Sequence, residues 1–170
     1  DGDGGPATAA AIGPAMLAAD GLGNLYLADQ WYFVIRRVDA GGTISLIAGN
    51  GQGPGLPFVG PVDGPTIAAP TTQMAATASG QLFYSNYFAD AANTIIPFVA
   101  QIDPATRQVQ VVLGGDPGLV NVADAPVGST AAQLRPEGTM LLATLGDALF
   151  MQDTVGAGAL SELTPTGADY

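Results

Sequence analysis

Carboxylates are the one abundant set of groups in this chain able to do polar chemistry. Fifteen acidic residues stand against four arginines, with no histidine, cysteine or lysine anywhere. Those absences remove the usual general base, thiol chemistry, Schiff-base chemistry and histidine-ligated zinc from the segment. A serine nucleophile has no partner to activate it, so no catalytic residue is assigned. Asp29, Asn86 and Asp153 each close the second apolar run of a sequence unit. Three oxygen side chains at one equivalent position suit a hard divalent cation such as calcium. The competing reading is a structural hydrogen bond repeated at the end of each run. The Asp1-Gly2-Asp3-Gly4 start resembles a calcium loop but has Gly5, Pro6 and Ile12 where such a loop needs ligands or glycine. Asp3 is therefore expected to cap a local turn.

A second group has binding rather than catalytic potential. Trp31, Tyr32 and Phe33 follow Asp29 directly, and Phe83, Tyr84, Tyr87, Phe88 and Phe98 fall in the corresponding part of the next unit. Aromatics at the edge of a sheet either form a contact patch for a protein or carbohydrate, or fill the space between sheets. Trp31, Tyr32, Tyr87 and Phe88 are the candidates for the patch. Arg36 and Arg37 are adjacent on an expected strand, so one faces each side. The glycine-rich stretch from Gly49 to Gly55 follows a strand and opens no helix, so it reads as a connector and not a phosphate cradle.

The elements that must position these residues are short strands. Met16–Asp20, Leu25–Asp29, Ile35–Asp39 and Ile44–Gly49 are four apolar runs, the first two joined by the turn Asp20-Gly21-Leu22-Gly23-Asn24 and the last two by Gly41-Gly42. The order returns twice. Leu25, Leu82 and Leu149 open equivalent second runs; Val38, Ile102 and Leu163 sit in equivalent third runs; Asp3, Asp63 and Asp124 mark the openings at spacings near sixty. Unit two has an insertion, so Phe88–Thr94 is expected to protrude as a loop between its second and third strands. Unit three stops where the turn before a fourth strand belongs.

Tandem units of four short antiparallel strands predict an all-β fold, an arc of about three β-propeller blades that is part of a ring of about six. The blades are expected over about 2–53, 62–115 and 122–170 of one segment. Three blades cannot close a ring, and a lone arc exposes edge strands and apolar faces. Further blades or further copies of the chain are thus expected partners. The chain begins at Asp1 without an initiator Met, which fits a processed product, an excised domain or the ordered part of something longer.

The first unit resembles the NHL-repeat β-propellers of bacteria through Gly2-Asp3-Gly4-Gly5-Pro6-Ala7-Thr8, Gly23-Asn24-Leu25-Tyr26-Leu27-Ala28-Asp29, Ile35-Arg36-Arg37-Val38-Asp39 and Ile47-Ala48-Gly49. Units two and three are similar mainly in spacing. The resemblance implies an exported protein, extracellular or periplasmic, that serves as a platform for ligands or proteins. Lyases among the related propellers depend on histidine, which this chain lacks. The resemblance also implies an alternative, a metal-dependent lactonase-like hydrolase whose remaining ligands lie outside the segment.

Composition agrees with a packed, non-enzymatic module. The chain of 170 residues is 48% hydrophobic and 11% charged, which excludes a polar disordered tail. No apolar run approaches the roughly 18–20 residues of a membrane helix. A net charge of -11 repels phosphate backbones, so nucleic acid is excluded as a partner. The function expected is structural: protein contacts within an extracellular assembly, with no cofactor beyond the divalent cation of the alternative.

Overall fold

The computed structural model describes residues 2–49, 51, 60–61, 73–89, 95–103, 108–114, 140–145, 148–153 and 160–163. They form an all-β chain whose only helical element is one 3-10 turn, Ala7–Ala9. The first sheet is β1 (Pro14–Ala19), β2 (Leu25–Asp29), β3 (Val34–Val38) and β4 (Ile44–Ala48), paired in that order. The second runs from β6 (Gln73–Ala76) through β7 (Leu82–Ala89) and β8 (Ile95–Asp103) to β9 (Gln108–Gly114), with β5 (Gly60–Pro61) added outside β9. The third is β10 (Met140–Leu145), β11 (Ala148–Asp153) and β12 (Leu160–Leu163). All pairings are antiparallel.

One turn design builds the meanders. In Asp20–Asn24, Asp39–Thr43 and Thr77–Gln81 the first side chain accepts the fifth residue's backbone N–H, at 2.8, 2.9 and 3.0 Å. The fourth residue is glycine each time, with φ of 85°, 85° and 94°. An L-residue there would meet the left-handed penalty that glycine escapes. Asx- and ST-type caps of this kind fix where each strand ends and hence its register.

The registers coincide across the sheets. Leu25 lies opposite Val38, Leu82 opposite Ile102, and Leu149 opposite Leu163. The three leucines are equivalent, as the spacing of the runs requires. The first strands β1 and β6 are neighbours, as are β6 and β10, so the sheets fan out side by side from their first strands. This is a β-propeller-like arc.

Successive residues of a strand face opposite sides, which gives each sheet two unlike faces. Tyr26, Ile35 and Ala48 of the first sheet pack against Met74, Ala76, Leu82, Tyr84, Phe98, Ala100, Ile102 and Val109 of the second. The rings of Tyr84 and Phe98 meet edge to face, with centroids 6.2 Å apart.

Two expectations change. Phe88 and Ala89 are not loop: they pair with Ile96 and Ile95, so the insertion lengthens a hairpin, and only 90–94 lie outside the described residues. The opening motif is an edge, not merely a capped turn. Gly4 donates to the carbonyl of Ile44 at 2.8 Å, Ile44 to that of Gly5 at 3.0 Å, and Pro6 bridges Thr43. In the second sheet Gly60 and Pro61 lie opposite Val109 and Gln108, the equivalents of Ile44 and Thr43. Gly60-Pro61 is therefore the counterpart of Gly5-Pro6; Asp63 and Asp124 lie outside the described residues.

Candidate functional site

Asp29 ends β2 with no solvent exposure, and the chain is organised around it. One carboxylate oxygen, Oδ1, accepts the backbone N–H groups of Gly13, Trp31 and Tyr32 at 3.2, 3.0 and 3.2 Å. The other, Oδ2, accepts Nη1 of Arg36 at 2.8 Å. Arg36 is itself buried, donates to the Ala11 carbonyl at 3.0 Å, and reaches Asp3 Oδ2 at 3.3 Å. Its guanidinium carbon lies 5.1 Å from the Tyr32 ring centroid, within cation–π range.

This node rigidifies the loop between β2 and β3. Phe33 has φ 51°, the one non-glycine residue with positive φ among those described. A Cβ on Gly49 would fall 2.6 Å from the Phe33 carbonyl oxygen, so glycine there admits the bent loop. At Gly13 a Cβ would fall 2.2 Å from the indole, so Trp31 lies across bare backbone. The result is a fixed aromatic pair at the loop edge. Trp31 is 73% exposed and Tyr32 38%.

The other proposed site residues fall as follows. Phe83, Tyr84 and Phe98 are core. Tyr87 and Phe88 lie in β7 opposite Pro97 and Ile96. Asn86 and Asp153 hold the register positions equivalent to Asp29, opposite Phe98 and Met140. The Arg36 position is filled by Ala100 in the second sheet and Ser161 in the third. The arginine ion pair at Asp29 is thus particular to unit one, and the side chains of Asn86 and Asp153 lie outside what the structure describes. No group of three or more histidine, cysteine or acidic side chains placed to hold a metal occurs among the described residues.

Sequence reasoning missed Arg36 as the hub. A signal existed: Asp29 lies opposite Val34, two residues before Arg36 on the same face, a diagonal cross-strand charge pair. Its burial was invisible, because the cover comes from Asp3 and Ala11, distant in sequence. Asp3 accordingly makes a long-range ion pair rather than only a local cap.

No family model matches the chain, and no curated protein does. Among solved structures it is similar to a structural-genomics protein of unknown function from Bacteroides thetaiotaomicron, at 16% identity and a TM-score of 0.53. That match covers 82% of this chain and 32% of the other. Streptogramin B lyase is also matched, at 16% identity and a TM-score of 0.37, over 91% of this chain and 42% of the lyase. The chain therefore spans about a third of the length of the first structure and less than half of the second. At these identities the first likeness concerns the fold alone.

Proposed function

We propose that this chain is a non-catalytic assembly module of an exported NHL-type β-propeller, and that the free face of its first sheet receives a further sheet of the same repeat. The supporting observation is a comparison between equivalent positions. Leu17 and Leu25 are 59% and 38% exposed, whereas Met74 and Leu82, at the same register in the second sheet, are 6% and 0% exposed because the first sheet covers them. Leu46, 41% exposed, joins that face through its pairing with Arg36. One face thus repeats an interface that the arc fills between its own sheets but leaves open in unit one. The Trp31–Tyr32 loop adds a rigid aromatic contact at the edge.

For this chain alone, the available further sheet is that of a second copy. Light scattering over a concentration series tests the reading. Self-association above 17.0 kDa is expected, and Leu17→Asp is expected to abolish it while leaving the circular-dichroism spectrum unchanged. A compact monomer that stays stable and unassociated at every concentration overturns the proposal.

A further inference from the structure

A cleft of about 230 Å³ lies between the first and second sheets, at the end carrying the Asp20–Asn24 and Thr77–Gln81 turns. One wall is Leu22, Asn24, Tyr26 and Arg37; the other is Ser79, Gly80, Gln81 and Asp103. Arg37 faces it because it pairs with Tyr26, whose ring belongs to the core between the two sheets.

The buried Nε of Arg37, like that of Arg36, has no hydrogen-bond partner, but Arg36 makes both ion pairs found among the described residues and Arg37 makes neither. A partly buried guanidinium without a paired counter-charge calls for an acceptor. The nearby acid Asp20 is already consumed: Leu22 N, Asn24 N, Asn24 Nδ2 and the Tyr26 hydroxyl all donate to it, at 2.7 to 2.9 Å. The repeat shows how the same position is satisfied without a ligand. Gln101, the equivalent of Arg37 in the second sheet, accepts from Gln110 Nε2 at 2.8 Å. In unit one the facing residue is Ser45, whose hydroxyl lies 3.4 Å from the Arg37 carbonyl oxygen. A cation has replaced an internally paired amide, and the space beside it is open.

We propose that this cleft binds a small hydroxy carboxylate, about the size of one sugar acid, with its carboxylate on the Arg37 guanidinium. Arginine matches a carboxylate in a two-point geometry. Asn24, Ser79, Gln81 and Asp103 offer partners for hydroxyl groups, and Leu22 packs on the carbon skeleton. The volume lies below the ~300–1,000 Å³ of drug-sized pockets, which limits the ligand to one ring or less. Asp103 in the wall and Asp20 beside it oppose every negative charge brought in, so a single carboxylate seated on Arg37 is favoured over a polyanion.

Titration calorimetry of this chain with D-glucuronate, D-glucose and citrate tests the assignment. Glucuronate is expected to bind in the millimolar range or tighter, and glucose and citrate at least about tenfold more weakly, the scale of one charge-assisted contact. The variant Arg37→Gln restores the residue type of Gln101 and so suits the fold; it is expected to lose glucuronate binding by the same factor. Backbone amide shifts at Asn24, Gly80 and Gln81 are expected to report the bound state. Equal binding of glucose, unchanged affinity in Arg37→Gln, shifts confined to other residues, or no binding of glucuronate each overturns the proposal.

Discussion

The Asp29–Arg36 pair makes the sharpest demand on the physical reasoning, because two carboxylates meet one guanidinium in different surroundings. Asp29 is inaccessible and 2.8 Å from Arg36; the Asp3 side chain is 35% exposed and 3.3 Å away. Asp29→Asn keeps an oxygen for Gly13, Trp31 and Tyr32 but removes the charge facing Arg36. A buried cation left without its partner costs about 3–5 kcal/mol. Asp3→Asn removes a solvent-screened contact worth at most about 1 kcal/mol. At about 2–4 °C per kcal/mol for a chain of this size, the first substitution lowers Tm by about 6–20 °C and the second by under about 4 °C. Thermal melts give the Tm shifts and urea titrations the free-energy differences, both followed by circular dichroism. In a double-mutant cycle with Arg36→Met, Asp29→Asn is expected to be less damaging than in the native background, with a coupling of about 2 kcal/mol. If Asp29→Asn costs no more than Asp3→Asn, or if the cycle is additive, the ion pair does not hold the loop and the account of the site fails.

Three further outcomes follow from the same structure. Burial, aided for Tyr26 by its bond to the Asp20 carboxylate, raises the hydroxyl pKa of Tyr26 and Tyr84 well above the ordinary tyrosine value; spectrophotometric titration should show these two tyrosines resisting ionisation until the fold is lost, and Tyr26→Phe and Tyr84→Phe should each remove one late-titrating group. Since the folded pKa is raised, their stabilisation is complete below the ordinary tyrosine pKa and is lost as pH climbs toward the folded value, so alkaline unfolding should be steep. Leu82→Ala should cost about 2–5 kcal/mol by opening a cavity in a filled interface, while Leu25→Ala, at the equivalent register, should cost under about 1 kcal/mol in dilute protein; equal losses would mean the two faces are not distinguished as described. Calcium, magnesium or manganese should leave Tm unmoved, because the Asp29 oxygens are already committed to four donors; a rise with metal concentration would revive the hydrolase alternative.

Much of the architecture was legible because strand registers leave a period in the chain. Leu25, Leu82 and Leu149 could be equated from spacing alone, and the glycines of the turns fixed where runs stopped. The lengthened hairpin was not legible. Pro97 sits within β8 opposite Tyr87, and proline inside a run ordinarily argues against a strand. The opening motif was also misread, since its partner Ile44 lies about forty residues away and backbone pairing at an outer edge has no side-chain pattern. The sequence left open whether Trp31 fills a gap or faces outward; its exposure follows from an indole laid across Gly13, a contact that no local pattern signals. Arg36 and Arg37 were correctly assigned to opposite sides of a strand; nothing local revealed which side the chain would bury.

Arg36 and Arg37 are consecutive, so the pleat alone sends one guanidinium to the face with Asp29 and the other toward the second sheet. The first is neutralised twice over by its own chain, and the second by no described carboxylate. The corresponding pairs are Ala100-Gln101 and Ser161-Glu162. Across the three sheets the Arg36 position thus reads Arg, Ala, Ser and the Arg37 position reads Arg, Gln, Glu, while the leucines that set the register do not change. Framework and chemistry are therefore separable in this fold: the turns and leucines specify that a sheet forms, and the two positions on its third strand vary without disturbing it. A charge placed at one of them needs a partner, and the chain supplies that partner for Arg36 through its opening segment. For Arg37 no carboxylate among the described residues makes an ion pair, and the side chain borders the open cleft that Asp103 also lines.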